Sequence, residues 1–490
     1  MKRKKFLLEK IAVTGYAAEG KSLARLDGKV YFIEGAVPGD VVDVFISTNK
    51  KDYGEGKATH FHELSKERTT PFCIHFGTCG GCKWQMLPYE KQLEYKQQEV
   101  AQNFRRIGKV ALPEMEPIVG SADTRYYRNK LEFTFSNKRY LTTTEIKNLP
   151  PVADGKRNDT TPAPVNETIS SNPEASQNGA LGYHVPRIFD KIIDIRECYL
   201  MDEVNNLIRN SIREFALQNN FTYYDIRQHT GWLRNIIIRY CTTGELMVNI
   251  VLGHDDEPER DRLLAYILAT VPQITTLLYT INPKWNDSIY DLNPVIYSGK
   301  GFVIEKLEEF SFKIGPKSFF QTNTKQAEKL YSITREFAGL TGNEVVYDLY
   351  CGTGSIGIFL SKTAKKIIGV EVIAEAIEDA KINASLNQIS HASFFAGDVI
   401  KICDDQFFNT HGKPDVIITD PPRAGMHEKL VNKLLEIGAP KIVYVSCNTA
   451  TQARDLALLN ARYSVERIQP VDMFPHTHHI ECVVLLKLIE

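Results

Sequence analysis

From about residue 316 onward, short apolar runs alternate with amphipathic stretches. The runs "EVVYDLYCGTGSIGIFL", "KIIGVEV", "PDVIITDPPRAG" and "KIVYVS" each read as a buried strand that ends in a turn. Helical periodicity fills the gaps between them, so the pattern predicts a doubly wound parallel α/β sheet. In such sheets ligands gather at the carboxyl ends of the strands. Upstream, residues 184–310 continue as mixed α/β, with "NIIIRY", "ELMVNIVLG" and "TTLLYTI" as strands. Residues 5–62 alternate apolar and polar positions between glycines, which predicts a small antiparallel β-barrel of about five strands. "LPYEKQLEYKQQEVAQNFRRIG" has apolar positions three or four apart and reads as a helix; "RYYRNKLEFTFSNKRY" reads as a strand. Residues 141–181 are rich in Ser, Thr, Asn and Pro and bury too little to order themselves. They are expected to be a flexible insertion within a domain. The expected organisation is a barrel at 1–64, a central mixed α/β domain at 65–315 and a Rossmann-like catalytic domain at 316–490.

Composition narrows the function. At 490 residues the chain is too long for one core, and 43% apolar with 24% charged residues is ordinary for a water-soluble protein. The basic start "MKRKKFLLEKIAVTG" lacks the apolar stretch of a signal peptide, and no run approaches a membrane span. Nine cysteines then point to a reducing cytoplasm, where thiols serve metals or chemistry. A net charge of −1 excludes a polycation, so any nucleic acid must bind through local patches.

Candidate chemistry clusters at the strand ends. In "DLYCGTGSIG", Gly352 and Gly354 allow a tight turn and close approach to a ligand. Asp348 precedes the loop, Glu371 ends the next strand where two ribose hydroxyls would lie, and Asp398 follows where an adenine edge would lie. Three acids disfavour a pyrophosphate and suit S-adenosylmethionine, with a dinucleotide as the alternative. "TDPPRAG" holds Asp420 at the rim on a proline-stiffened turn, with Arg423 reaching away. Cys447 follows "VYVS" at a neighbouring strand end, where a thiol is otherwise only a small core residue. A thiolate there can add to carbon 6 of a uracil and make carbon 5 nucleophilic toward an activated methyl group. A base must then remove the carbon 5 proton. Glu481 precedes the last apolar run, with His476, His478 and His479 as rivals. Separately, Cys73, Cys79 and Cys82 form a C-x₅-C-x₂-C set suited to iron–sulfur or zinc ligation. Basic residues interleave with aromatics over 125–139, which suits phosphates and unstacked bases or, more plainly, a solvated strand with one buried face.

In order, "SFFQTN" (318–323), "DLYCGTGSIG", "DPPRAG", "VYVSCN" and "HIECVVLL" resemble the motifs of the RNA 5-methyluridine methyltransferase family. That resemblance implies Cys447 as nucleophile and Glu481 as base. It also implies that Gln321, Tyr350, Glu371 and Asp420 contact the S-adenosylmethionine or position the target. The family has proline after "SCN" where this chain has Thr449, which is expected to loosen the turn. Residues 5–62 resemble a TRAM domain, a small RNA-binding barrel. Cys73, Cys79 and Cys82, with Cys198, match the cysteines that hold a [4Fe–4S] cluster in the ribosomal-RNA branch. The resemblance directs Arg128 and Lys130 toward RNA. It implies a monomer that methylates a flipped uridine of 23S ribosomal RNA, with transfer RNA as the nearest alternative. DNA cytosine-5 methylation and a non-catalytic ribosome-assembly binder are the remaining alternatives.

Overall fold

The structure is a computed structural model that describes residues 6–142, 145–146 and 179–489. Most of the expected insertion at 141–181 therefore lies outside the described residues.

The N-terminal sheet has six strands, ordered Phe6–Ala12, Val41–Asn49, Tyr53–Glu63, Lys29–Glu34, Ser22–Leu26 and Gly15–Tyr16. The expected count was about five and wholly antiparallel. The extra strand is only two residues long, and Lys29–Glu34 pairs with Tyr53–Glu63 in parallel. Alternation does place Val42, Val44 and Ile46 inside. Asp40, fully buried, accepts from Arg68 Nε at 2.8 Å and Nη2 at 2.7 Å, and from the Val37 and Ser65 amides. That bidentate pair ties the barrel to the chain leaving it.

The central sheet has seven strands, from Val295–Gly299 at one edge to Ile192–Asp194 at the other. Its middle strands, Leu233–Tyr240 and Leu246–Leu252, are buried on both faces, polar residues Arg234, Asn235, Arg239 and Asn249 included. Helices Val204–Gln218 and Glu257–Thr270 pack against each other in this layer.

The C-terminal sheet also has seven strands. Their order is Ala392–Ala396, Lys366–Glu371, Val345–Leu349, Val416–Thr419, Lys441–Ser446, Glu481–Leu488 and Tyr463–Val471. The first five run parallel, as expected. The last two depart from the expected parallel sheet: Glu481–Leu488 pairs antiparallel with both of its neighbours. Its beginning, rather than its end, therefore meets the carboxyl rim of the parallel strands. The hairpin Val303–Leu307/Phe310–Ile314 packs Phe310 and Phe312 into the same core as Val346 and Phe359.

Helix Tyr89–Asn103, with its final turn at Phe104–Gly108, joins these layers. Its Lys96 ammonium lies 2.6 Å from Asp472, and both side chains are fully buried. Asp472 also accepts from Tyr89 Oη at 2.8 Å and from the Phe474 amide at 2.9 Å. Buried charges are tolerable only when paired and hydrogen-bonded in this way. Gln92, on the same helix, binds the His476 backbone amide at 2.8 Å and faces His476 Nδ1 at 3.1 Å. Tyr127 Oη donates to the Pro475 carbonyl. The segment 472–479, which leads into Glu481, is thus held by elements nearly four hundred residues upstream.

Candidate active site

The loop after Val345–Leu349 bends through left-handed backbone at Tyr350 (φ 62°), Gly352 (φ 53°) and Gly354 (φ 75°). At Gly354 a Cβ would come within 3.0 Å of Ala380 and Phe394, so both conformation and space demand glycine. Asp348 is fully buried below the loop and accepts the Gly357 amide at 2.8 Å. It anchors the start of helix Ser355–Leu360, and burial pushes its carboxyl up to about 7. Of the three acids read around the loop, this one therefore points into the core. Glu371 spans the rim: Oε2 accepts the Gly352 amide at 3.3 Å and Oε1 accepts the Ile373 amide at 3.0 Å. Asp398 is exposed and caps helix Val399–Ile402 through the Ile400 amide at 3.0 Å. Gln321 precedes helix Thr324–Ala338, and its carbonyl accepts from Asn129 Nδ2 at 2.9 Å.

Strand register brings the reactive candidates together. Ser446 is paired with Cys482. In an antiparallel ladder the next residues along, Cys447 and Glu481, leave the pair side by side. Asp420 follows Val416–Thr419, which lies beside Lys441–Ser446 in the sheet, so it ends at the same rim. Cys447 is half-buried and Glu481 is buried. Burial, then the Glu481 and Asp420 carboxylates, push the Cys447 thiol up to about 12, while Arg423 pulls it down. Burial and the Asp420 charge raise Glu481 well above the usual carboxylate range, and Arg423 again opposes them. Burial lifts Asp420 to about 7. Two such carboxyls beside a thiol cannot readily both ionise, so the rim holds a proton near neutral pH.

Arg423, expected to reach away from Asp420, meets residues of two other segments. Its carbonyl accepts from Asn448 Nδ2 at 3.0 Å, and its Nη2 lies 3.0 Å from His479 Nδ1. Arginine only donates, so His479 must be the neutral acceptor. Burial depresses His479 to about 3 and His476 and His478 to about 4, which leaves these three histidines weak bases. Sequence reading named Arg423 but not its partner, which lies 56 residues away. The one signal for Arg423 was its place three residues after Asp420. Thr449 also differs from expectation. It is the first residue of helix Thr449–Leu459, is 4% exposed, and accepts from Asn103 Nδ2 at 2.9 Å. That bond ties the turn to helix Tyr89–Asn103 where proline would have stiffened it locally.

Arg128 is half-buried, with its guanidinium 4.9 Å from the Phe474 ring centroid and its Nε lacking a partner among the described residues. Lys130 begins strand Lys130–Ser136; burial and the Arg239 charge push its ammonium down. Cys73, Cys79, Cys82 and Cys198 line one pocket, together with His75, Gln85 and Tyr183. Among the described residues, no three His, Cys, Asp or Glu side chains close around one point tightly enough to ligate a single ion. No helix of the described residues is long and apolar enough to cross a membrane.

The C-terminal sheet, with its glycine loop and acidic rim, defines an S-adenosylmethionine-dependent methyltransferase fold. The chain superposes on Pyrococcus abyssi tRNA (uracil-54, C5)-methyltransferase, solved with S-adenosyl-L-homocysteine, with a TM-score of 0.70 at 25% identity. That match covers 99% of this chain and 100% of the other. Residues 299–489 match the tRNA (uracil-5-)-methyltransferase family model, and residues 9–59 match the TRAM domain. An uncharacterized RNA methyltransferase of Bacteroides thetaiotaomicron is 51% identical over 475 residues, 96% of this chain and 100% of that one. Another from Porphyromonas gingivalis is 49% identical over 478 residues, 97% and 98% of the two chains. The chain belongs to the RNA methyltransferase family.

Proposed function

We propose that the protein transfers a methyl group from S-adenosylmethionine to carbon 5 of a uridine in RNA, with 23S ribosomal RNA as its target. The observation that carries this reading is the strand pairing that sets Cys447 beside Glu481 at the rim shared with Asp420. Cys447 Sγ, once its proton has passed to solvent, adds as thiolate to carbon 6 of the flipped ring. The carbon 5–carbon 6 π electrons move toward O4, and carbon 5 takes the methyl group as the donor's carbon–sulfur bond breaks. Glu481 then removes the carbon 5 proton; the double bond re-forms and Cys447 leaves as thiolate. Asp420, at the same rim, would accept the ring N3–H. Glu371 and Asp398 suit the ribose hydroxyls and adenine of the donor, and Gly352, Tyr350 and Gln321 shape its loop. The half-buried Arg128 and Lys130 suit phosphates near the entering nucleotide.

Cys73, Cys79, Cys82 and Cys198 line one pocket and would hold a [4Fe–4S] cluster, as the family resemblance implies, each iron taking one sulfur. One zinc ion is the alternative that four thiolates also suit. Such a cluster would staple the segment 73–82 to the central sheet, and the proposed chemistry needs no redox step. Anaerobically purified protein should carry iron and acid-labile sulfide in equal amounts, and less in Cys198→Ser. Stoichiometric zinc without iron would refute the cluster.

A transfer-RNA target is the second reading, favoured by the Pyrococcus abyssi enzyme, which matches nearly the whole chain. Mass-spectrometric mapping of 5-methyluridine in cells lacking the protein separates the two. Loss from large-subunit ribosomal RNA is expected, loss from transfer RNA supports the second reading, and no loss from either removes uracil-5 methylation.

Arg423 offers a pH test. Its charge lowers both Cys447 and Glu481, so Arg423→Ala raises both and leaves less thiolate and less carboxylate at a given pH. The rising limb of kcat/KM should move to higher pH by about one unit, a roughly tenfold loss at pH 7. Arg423→Lys should restore part of it. An unmoved profile would show that the guanidinium does not act on these groups.

A further inference from the structure

A second cleft, of about 680 Å³, lies between the barrel and helix Tyr89–Asn103. That size suits a nucleotide-scale ligand. Tyr16, Phe32, Tyr53, Trp84 and Tyr95 line it. Tyr16 packs edge-on against Trp84 and lies 3.7 Å, centroid to centroid, from Tyr95. Tyr53 and Phe32 form the barrel wall. Arg25 from the barrel and Arg106 from the end of the helix are exposed at its edge, and neither has an ion-pair partner among the described residues. Asp52 and Glu99 are the carboxylates of the same lining.

Glu99 is partly buried on the helix wall, where burial pushes its carboxyl up to about 7. Above about pH 7 it is a carboxylate and only accepts.

Both walls lead to the catalytic rim. On the barrel side, the Gly20 turn lies against His478, three residues before Glu481. On the helix side, Asn103 bonds Thr449, two residues after Cys447.

We propose that this cleft seats an unpaired, amino-bearing nucleobase of the RNA strand whose uridine occupies the catalytic rim. The inference rests on the RNA methyltransferase reading above. The aromatic wall stacks on the base, while Arg25 and Arg106 take its flanking phosphates. The Glu99 carboxylate accepts from an exocyclic amino group. Uracil offers one N–H between two carbonyl oxygens there, and those oxygens repel a carboxylate.

The test uses the full chain and fluorescent decamers of oligo(A) and oligo(U), with fold checked by circular dichroism. Wild type should bind oligo(A) more tightly. Tyr53→Ala should weaken it about tenfold. Arg25→Ala with Arg106→Ala should lower the salt slope by about 0.7 per arginine. Glu99→Gln, a conservative change, should erase the preference for adenine. No wild-type affinity for either decamer, or variants that bind as wild type does, would overturn the cleft as a base seat. Methyl transfer to total RNA from cells lacking the protein is measured in parallel. Absent transfer by wild type defeats the methyltransferase reading, whereas normal transfer with unaltered variant binding defeats only the cleft.

Discussion

Cys447→Ala is expected to stop methyl transfer, a loss on the order of 10⁴-fold or more, because the covalent route disappears with the sulfur. Carbon 5 of uracil is a poor nucleophile, and no other described thiol shares the rim with Asp420 and Glu481. Cys351 lies below the glycine loop and Cys482 is buried on the strand itself. RNA affinity should hold, since a half-buried side chain loses one atom and no hydrogen bond. RNA containing 5-fluorouridine makes the contrast sharp. In the wild type the adduct forms and is methylated, but fluorine cannot leave as a proton does, so the protein stays attached to RNA through denaturing electrophoresis. The alanine variant should show no such band. Normal methylation by that variant would end the mechanism.

Glu481→Gln is expected to fail at a different step. Glutamine keeps the shape and removes the basic oxygen, so addition and methylation proceed while proton removal slows by about 10²–10⁴-fold. Methylated RNA should then accumulate covalently bound to Cys447 on ordinary uridine substrate, without fluorine. Glu481→Gln with Cys447→Ala should lose the adduct. If a histidine of the 476–479 segment were the base, Glu481→Gln would turn over freely. The low basicity of all three and the contact of His479 with Arg423 argue against that outcome.

Much of this was readable in the chain because its signals are local. An apolar run followed by a glycine turn identifies a parallel strand and its rim, and so Tyr350, Gly352, Glu371, Asp420 and Cys447 could be placed at strand ends before any coordinates. The final strand was different. "ECVVLL" reads the same whichever way it runs, and only its pairing with Lys441–Ser446 shows that it begins at the rim. The partner of Arg423 was hidden for a related reason, since the imidazole that meets it comes from a distant segment. Asp348 and Glu371 look alike in sequence, yet one is sealed beneath helix Ser355–Leu360 and the other bridges two loops. The Lys96–Asp472 pair joins residues 376 apart, a separation at which periodicity carries no information.

That pair also bears on how the chain can be cut. The family match begins at residue 299, which invites excising the C-terminal sheet as a self-sufficient catalyst. Severed there, Asp472 would lose the Lys96 ammonium, the one cation paired with it among the described residues, along with the Tyr89 hydroxyl. Breaking such a buried pair costs about 3–5 kcal/mol, a large share of the roughly 5–15 kcal/mol by which folded proteins are stable. The N-terminal helix thus works as part of the catalytic scaffold, and the protein has to be handled as one indivisible piece.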